Sequence, residues 1–398
     1  MRAVRRLAGW LGWAVVWLLI IAGLAITIVP RFLDHIYYEG PESGHFDGAR
    51  FFNPDGEDTF RPPAGARGGS RGGFILRWLT GQDGRAVWPD RVAVQPANIR
   101  ALPPLRSGEM RATWVGHATV LIETPGFTML TDPIWSDVAG PFGIGPGRVA
   151  APGVRMADLP KIDLIVISHN HYDHMDLDTL RTLWERDRPT IVTSLGNDAV
   201  IASNGVPAVA LDWGEKRAVG AAMVRVTRNH HWGSRWGVDR NRALWSSFTV
   251  DTPSGRVFFA GDTGFGDGRW PGEAVADGIM PRFAILPIGA FRFAPGQMGT
   301  GSHIGPQEAV KVWNRLGRPQ ALGIHWGTFQ LSSEAYDTPP RMLDFLMRCA
   351  SNDEASQRFA TWRVGEPRLV PGPGLPTSDV PDGLIDECVT QPEVQRLR

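Results

Sequence analysis

Leu164-Ile165-Val166-Ile167-Ser168-His169-Asn170-His171-Tyr172-Asp173-His174-Met175-Asp176 is the stretch that decides the fold. The apolar run from Ile162 to Ile167 reads as a buried strand. Three histidines and an aspartate follow it on one turn at the strand's end. Neutral imidazole and carboxylate suit zinc when no thiolate is offered. One turn is poorly placed to wrap all four groups around a single tetrahedral ion. The pattern therefore predicts two ions, each completed by residues from elsewhere in the chain.

Those residues can be sought at other strand ends. Ala112 to Val115, Thr119 to Glu123 and Phe127 to Leu130 read as strands, with His117 between the first two and Asp132 after the third. His117 alone reads as a core histidine more often than as a ligand, and Asp132 reads at least as well as an aspartate satisfying the turn before Pro133. Val224 to Thr227 leads to Asn229-His230-His231-Trp232, and Ala243 to Val250 is expected as a further strand. Val257 to Ala260 ends in Gly261-Asp262-Thr263-Gly264, and Ala321 to Ile324 ends in His325. Helices are expected at Leu177 to Arg186, Gln307 to Leu316 (started by Pro306) and Arg341 to Cys349. Residue chemistry alone leaves the choice between His230 and His231 open.

The chain has 398 residues, with 41 basic and 41 acidic side chains, so its formal net charge is zero. Its arginines are scattered, and no nucleic-acid partner is expected. Cys349 and Cys388 lie outside the histidine-rich region, which argues against thiolate ligation; they could pair in an oxidising compartment. From Leu7 to Pro30 there is no charged residue, and Arg2, Arg5 and Arg6 precede the run. Such a segment can cross a hydrocarbon core of roughly 30 Å. The basic flank predicts a single-pass membrane protein, its N-terminus cytoplasmic and its catalytic domain exported; a cleaved signal peptide is the alternative. Four parts are expected: an anchor or signal at 1–30, a connecting segment rich in Gly and Pro at 31–105, a hydrolase domain at 106–350, and a C-terminal extension at 351–398.

His169-Asn170-His171-Tyr172-Asp173-His174 resembles the HxHxDH signature of the metallo-β-lactamase fold superfamily. The resemblance implies an α/β fold, an αββα sandwich, here with an N-terminal transmembrane helix. A closer resemblance is to the N-acyl-phosphatidylethanolamine-hydrolysing phospholipases D. It runs from Arg111 to Phe329 through Trp114-Val115-Gly116-His117-Ala118-Thr119, Leu130-Thr131-Asp132-Pro133-Ile134, the opening motif, His231-Trp232, Phe259 to Gly264, Leu286 to Ala290 and Ile324 to Phe329. It implies two zinc ions per chain, one held by His169, His171 and His231, the other by Asp173, His174 and His325, with Asp262 bridging them. His231 is preferred to His230 because it directly precedes Trp232. His303 would stand near the substrate phosphate, and a packing residue at a helix start is its alternative. The implied activity is phospholipase D-type phosphodiester hydrolysis of a membrane phospholipid. A lactonase or other small-ester hydrolase on the same metals, and a non-catalytic envelope binding or scaffold protein, are the rival expectations.

Overall fold

The computed structural model describes residues 2–56, 84–293, 301–351, 356–372 and 380–397. Residues 57–83 of the expected connecting segment lie outside the described residues.

Two mixed sheets face one another. The first contains β1 (Arg111–Gly116), β2 (Thr119–Thr124), β3 (Phe127–Thr131), β4 (Leu164–Ile167), β5 (Thr190–Ser194), β6 (Val209–Leu211) and, at the far edge beside β1, β14 (Pro367–Leu369). The second runs in the order β13 (Phe359–Ala360), β12 (Gln320–Ile324), β11 (Phe283–Pro287), β10 (Gly255–Phe259), β9 (Ser247–Thr252), β8 (Ala222–Thr227) and β7 (Lys216–Val219). In each sheet a parallel block adjoins an antiparallel one: β3 to β6 are parallel, and so are β10 to β13.

The period-two alternation of strands sorts side chains between layers. Leu164 and Val166 point inward against Val257, Phe259, Phe283, Ile285, Leu322 and Ile324 from the other sheet. Ile165 and Ile167 point outward under Leu180 and Leu183 of α2 (Leu177–Asp187) and Val200 and Ile201 of α3 (Asn197–Ala202). Phe258, Ala284 and Leu286 point outward on the other side, under α4 (Trp270–Ala274), α5 (Pro306–Arg315), α6 (Thr338–Ala350), α7 (Asp382–Val389) and α8 (Pro392–Gln395). The strands are apolar almost continuously because both faces of each sheet are covered. The result is an αββα sandwich.

One expected strand differs. Ala243 to Ser246 stays outside the sheet, and β9 begins only at Ser247. Leu244 N–H donates to Leu195 O and Ser246 N–H to Ser168 O, which draws this segment across to the first sheet. Leu244 and Trp245 then close a small cluster with Phe46 and Phe51.

Ahead of these layers, α1 (Arg2–Leu33) contains a 24-residue apolar span, Trp10–Leu33, of mean hydropathy 2.5, whose most apolar stretch is not buried against the sandwich. Its end is fastened to the sandwich: the Asp34 carboxylate accepts from Arg50 and from Arg242 at 2.8 Å, and Tyr37 Oη donates to Asp239 at 2.9 Å.

Cys349 in α6 and Cys388 in α7 form a disulfide, 39 residues apart in sequence. Closing a loop of this length restricts the unfolded chain by about 3–4 kcal/mol. Replacing both cysteines with serine is expected to lower unfolding free energy by an amount of that order, read from urea melts. Superimposable melts would show that packing of α6 on α7 carries the stability alone.

Candidate metal centre

The chain direction places the ends of β1, β3 and β4 on one edge of the first sheet, and those of β8, β10 and β12 on one edge of the second. Each of these ends delivers a histidine or an aspartate. The backbone is forced there: His117 has φ 51°, Asp132 φ 32° and His325 φ 65°. Side chains rarely adopt this left-handed region, and such strain concentrates at functional sites. Gly261 also has positive φ, and any Cβ there would lie 2.6 Å from Ser168 Cβ; only glycine lets the β10 end approach the β4 end so closely.

His169, His171 and His231 form one group. His169 Nε2 is 2.7 Å from His171 Nδ1, and His231 Nε2 is 3.4 Å from the same atom. Asp173, His174 and His325 form a second, with His174 Nε2 3.1 Å from His325 Nε2 and both within 3.4 Å of Asp173 Oδ2. Asp262 Oδ2 is 3.0 Å from both His174 and His325 Nε2. Thus all seven residues expected from the sequence converge. His230 turns away, its Nδ1 2.9 Å from Asp55 Oδ1. His303 flanks the cluster, with Nδ1 3.7 Å from Asp262 Oδ2 and its ring centroid 5.1 Å from that of His231.

The outward nitrogens explain the inward ones. His169 Nδ1 meets Ser168 Oγ at 2.9 Å, His231 Nδ1 meets Ser302 O at 2.8 Å and His174 Nδ1 meets the Asp132 carboxylate at 2.7 Å. A ring that donates outward turns the lone pair of its other nitrogen into the cluster. Burial holds His169 and His231 well below the usual imidazole range and His171 down at about 3, so these rings are neutral. Burial likewise depresses His303, to about 4. Against the same desolvation, Asp262 and Asp173 raise His174 well above that range and His325 to about 9. Both aspartates stay ionised despite burial, because His174 and its neighbours lower them.

The donor set fits metal ions. Asp262 Oδ1 is buried without a hydrogen-bond partner, and unpaired buried carboxylate oxygen is costly unless something positive meets it. Three neutral imidazoles on one side, and two imidazoles that hold protons only because two ionised carboxylates face them on the other, are the chemistry a divalent cation satisfies by taking the protons' place.

Two residues acquire partners that sequence reasoning left undecided. Asp132, fully buried, accepts from Ser168 N and Oγ while holding His174, so it is more than a turn residue. His117 Nε2 is 2.9 Å from Asp173 Oδ2, and its backbone O accepts from His325 N–H at 3.2 Å. A cavity of about 700 Å³ lies against the 172–178 segment, its walls including Tyr172, Arg235, Trp236 and Phe142 but none of the seven cluster residues.

With this geometry in view, three comparisons bear on the chain. A beta-lactamase superfamily domain matches residues 128–326. An uncharacterized protein of Mycobacterium tuberculosis is 35% identical over 273 residues, covering 65% of this chain and 71% of its own. N-acyl-phosphatidylethanolamine-hydrolyzing phospholipase D 1 of Caenorhabditis elegans is 34% identical over 269 residues, covering 64% of this chain and 74% of its own. Among solved structures, that of a possible metal-dependent hydrolase from Veillonella parvula superposes with TM-score 0.51 at 15% identity, covering 65% of this chain and 98% of that one, a likeness of fold.

Proposed function

This chain belongs to the metallo-β-lactamase superfamily as a metal-dependent hydrolase, and we propose that it is a zinc phosphodiesterase of phospholipase D type, acting on N-acylated phosphatidylethanolamine. The convergence of seven histidine and aspartate side chains at the sheet edges carries the reading. The similarity to the C. elegans phospholipase supports the choice of bond.

One zinc would be held by His169, His171 and His231, the other by Asp173, His174 and His325, with Asp262 shared. When bound, the pair would supply charge to neutralise phosphate oxygens and bring the pKa of water towards about 7. The chain's own residues do the rest. Ser168, Asp132 and the Ser302 carbonyl fix the rings. His117 steadies Asp173. His303, a neutral ring in this setting, would hydrogen-bond a phosphate oxygen or the leaving alcohol through its N–H. Water attacks phosphorus, the bond to the N-acylethanolamine oxygen breaks, that oxygen takes a proton, and phosphatidic acid remains.

Outer partners of metal-bound histidines typically carry about 10–100-fold in affinity. Asp132→Asn is therefore expected to weaken zinc binding by that factor, measured by competition with a coloured chelator. Unchanged affinity would return Asp132 to a turn residue.

The α1 helix is read as a membrane anchor, N-terminus cytoplasmic and the hydrolase exported. The disulfide supports an oxidising compartment. The deciding assay offers purified protein an N-acylated phosphatidylethanolamine and a panel of lactones. Phospholipid turnover well above lactone turnover is expected. The reverse order would make it a lactonase on the same metals.

A further inference from the structure

Phe142 and Ile144 are 88% and 72% exposed, two large apolar side chains on one loop, 141–146. The loop is built to present them. Its neck is closed by Ala139 N–H donating to Pro146 O at 3.0 Å and by the bridge between Val138 and Gly147. Ile144 N–H donates to Pro141 O at 2.9 Å across the tip. A Cβ on Gly140 would lie 1.9 Å from Ile144 O, so the strands of the neck cross in contact. Phe142 itself takes φ 55°, a conformation a bulky residue avoids unless held.

The loop is tied to the end of α1. Phe142 packs on Trp236 with ring centroids 5.9 Å apart. Trp236 N–H donates to Asp239, and Asp239 accepts from Tyr37, four residues beyond Leu33. At most about 14 Å of chain can separate Leu33 from Tyr37. Arg242 of the same segment grips Asp34. The apolar tip, the cavity wall and the end of the apolar helix are thus fastened to one another through 236–242.

We propose that the 141–146 loop is a membrane-dipping tip, whose Phe142 and Ile144 enter the acyl-chain layer of the bilayer that α1 crosses and bring the adjoining cavity to the lipid surface. This rests on reading α1 as a membrane anchor. Exposed apolar side chains on a rigid loop are the kind of surface that partitions into an interface, and an adjoining anchor selects a lipid surface over a protein partner.

Among the described residues the chain has no free cysteine, so a single introduced thiol can be labelled alone. Full-length I144C, I279C and W17C would each carry an environment-sensitive fluorophore in phosphatidylcholine–phosphatidylglycerol nanodiscs containing lipid spin-labelled along its acyl chain. Ile279 is also exposed and apolar, but it precedes β11, at the opposite strand ends from the site. The expected result is a blue shift and at least twofold quenching at 144, with neither at 279. An unquenched probe at 144 overturns the proposal. If the probe at 17 is quenched, the anchor still stands; if it is not, the anchor reading has failed as well. Equal quenching at 144 and 279 also overturns it, since apolar exposure alone would then account for the contact.

Discussion

Alanine in place of His171 or Asp262 is expected to cut phosphodiester turnover by at least about a thousandfold. Metal ions contribute several kcal/mol of charge stabilisation to such reactions, and each 1.36 kcal/mol is about tenfold in rate. His171 would take one nitrogen from the first group of ligands, while Asp262 would take the carboxylate that lies 3.0 Å from both His174 and His325. The fold should survive both changes. Neither side chain belongs to the three large apolar clusters that hold the layers together. Circular dichroism should therefore match the parent while bound zinc falls. A variant that keeps both its zinc and its rate would remove the residue from the proposed site.

Stripping the metal should have an effect as large. Chelation followed by gel filtration is expected to reduce hydrolysis to background, with recovery on adding zinc. Stability should move with it, because an ion that binds only the native state adds about 4 kcal/mol when present at a thousand times its dissociation constant. The thermal midpoint is accordingly expected to rise with free zinc. Full activity in metal-stripped protein would sink the metal mechanism outright.

Much of this site is legible in the chain because the ligand types sit where strands stop. The apolar run ending at Ile167 announces β4, and the next seven residues announce their chemistry. His231, Asp262 and His325 follow the same rule, and the structure brings all of them to one place. What could not be read depends on which strand ends become neighbours. Asp132 meets His174 only because β3 pairs with β4 in parallel, and His117 meets Asp173 only because β1 and β4, three places apart in the sheet, run the same way and end on the same side. His230 and His231 are adjacent in sequence, and it is Asp55, far away in the chain, that draws one of them outward. The short edge strands β6, β7, β13 and β14 carry two to four residues each, too few for a period-two pattern to stand out. The strand expected from Ala243 starts late, at Ser247, for a related reason: Leu244 and Trp245 are buried by a cluster with Phe46 and Phe51 and not by a sheet.

The most direct test of the proposed reaction is turnover of N-acylated phosphatidylethanolamine by the zinc-loaded protein in water enriched in oxygen-18, with mass analysis of both products. Attack of water on phosphorus predicts one heavy oxygen in phosphatidic acid and none in the N-acylethanolamine. Heavy oxygen in a released fatty acid, or no phosphatidic acid at all, would contradict it.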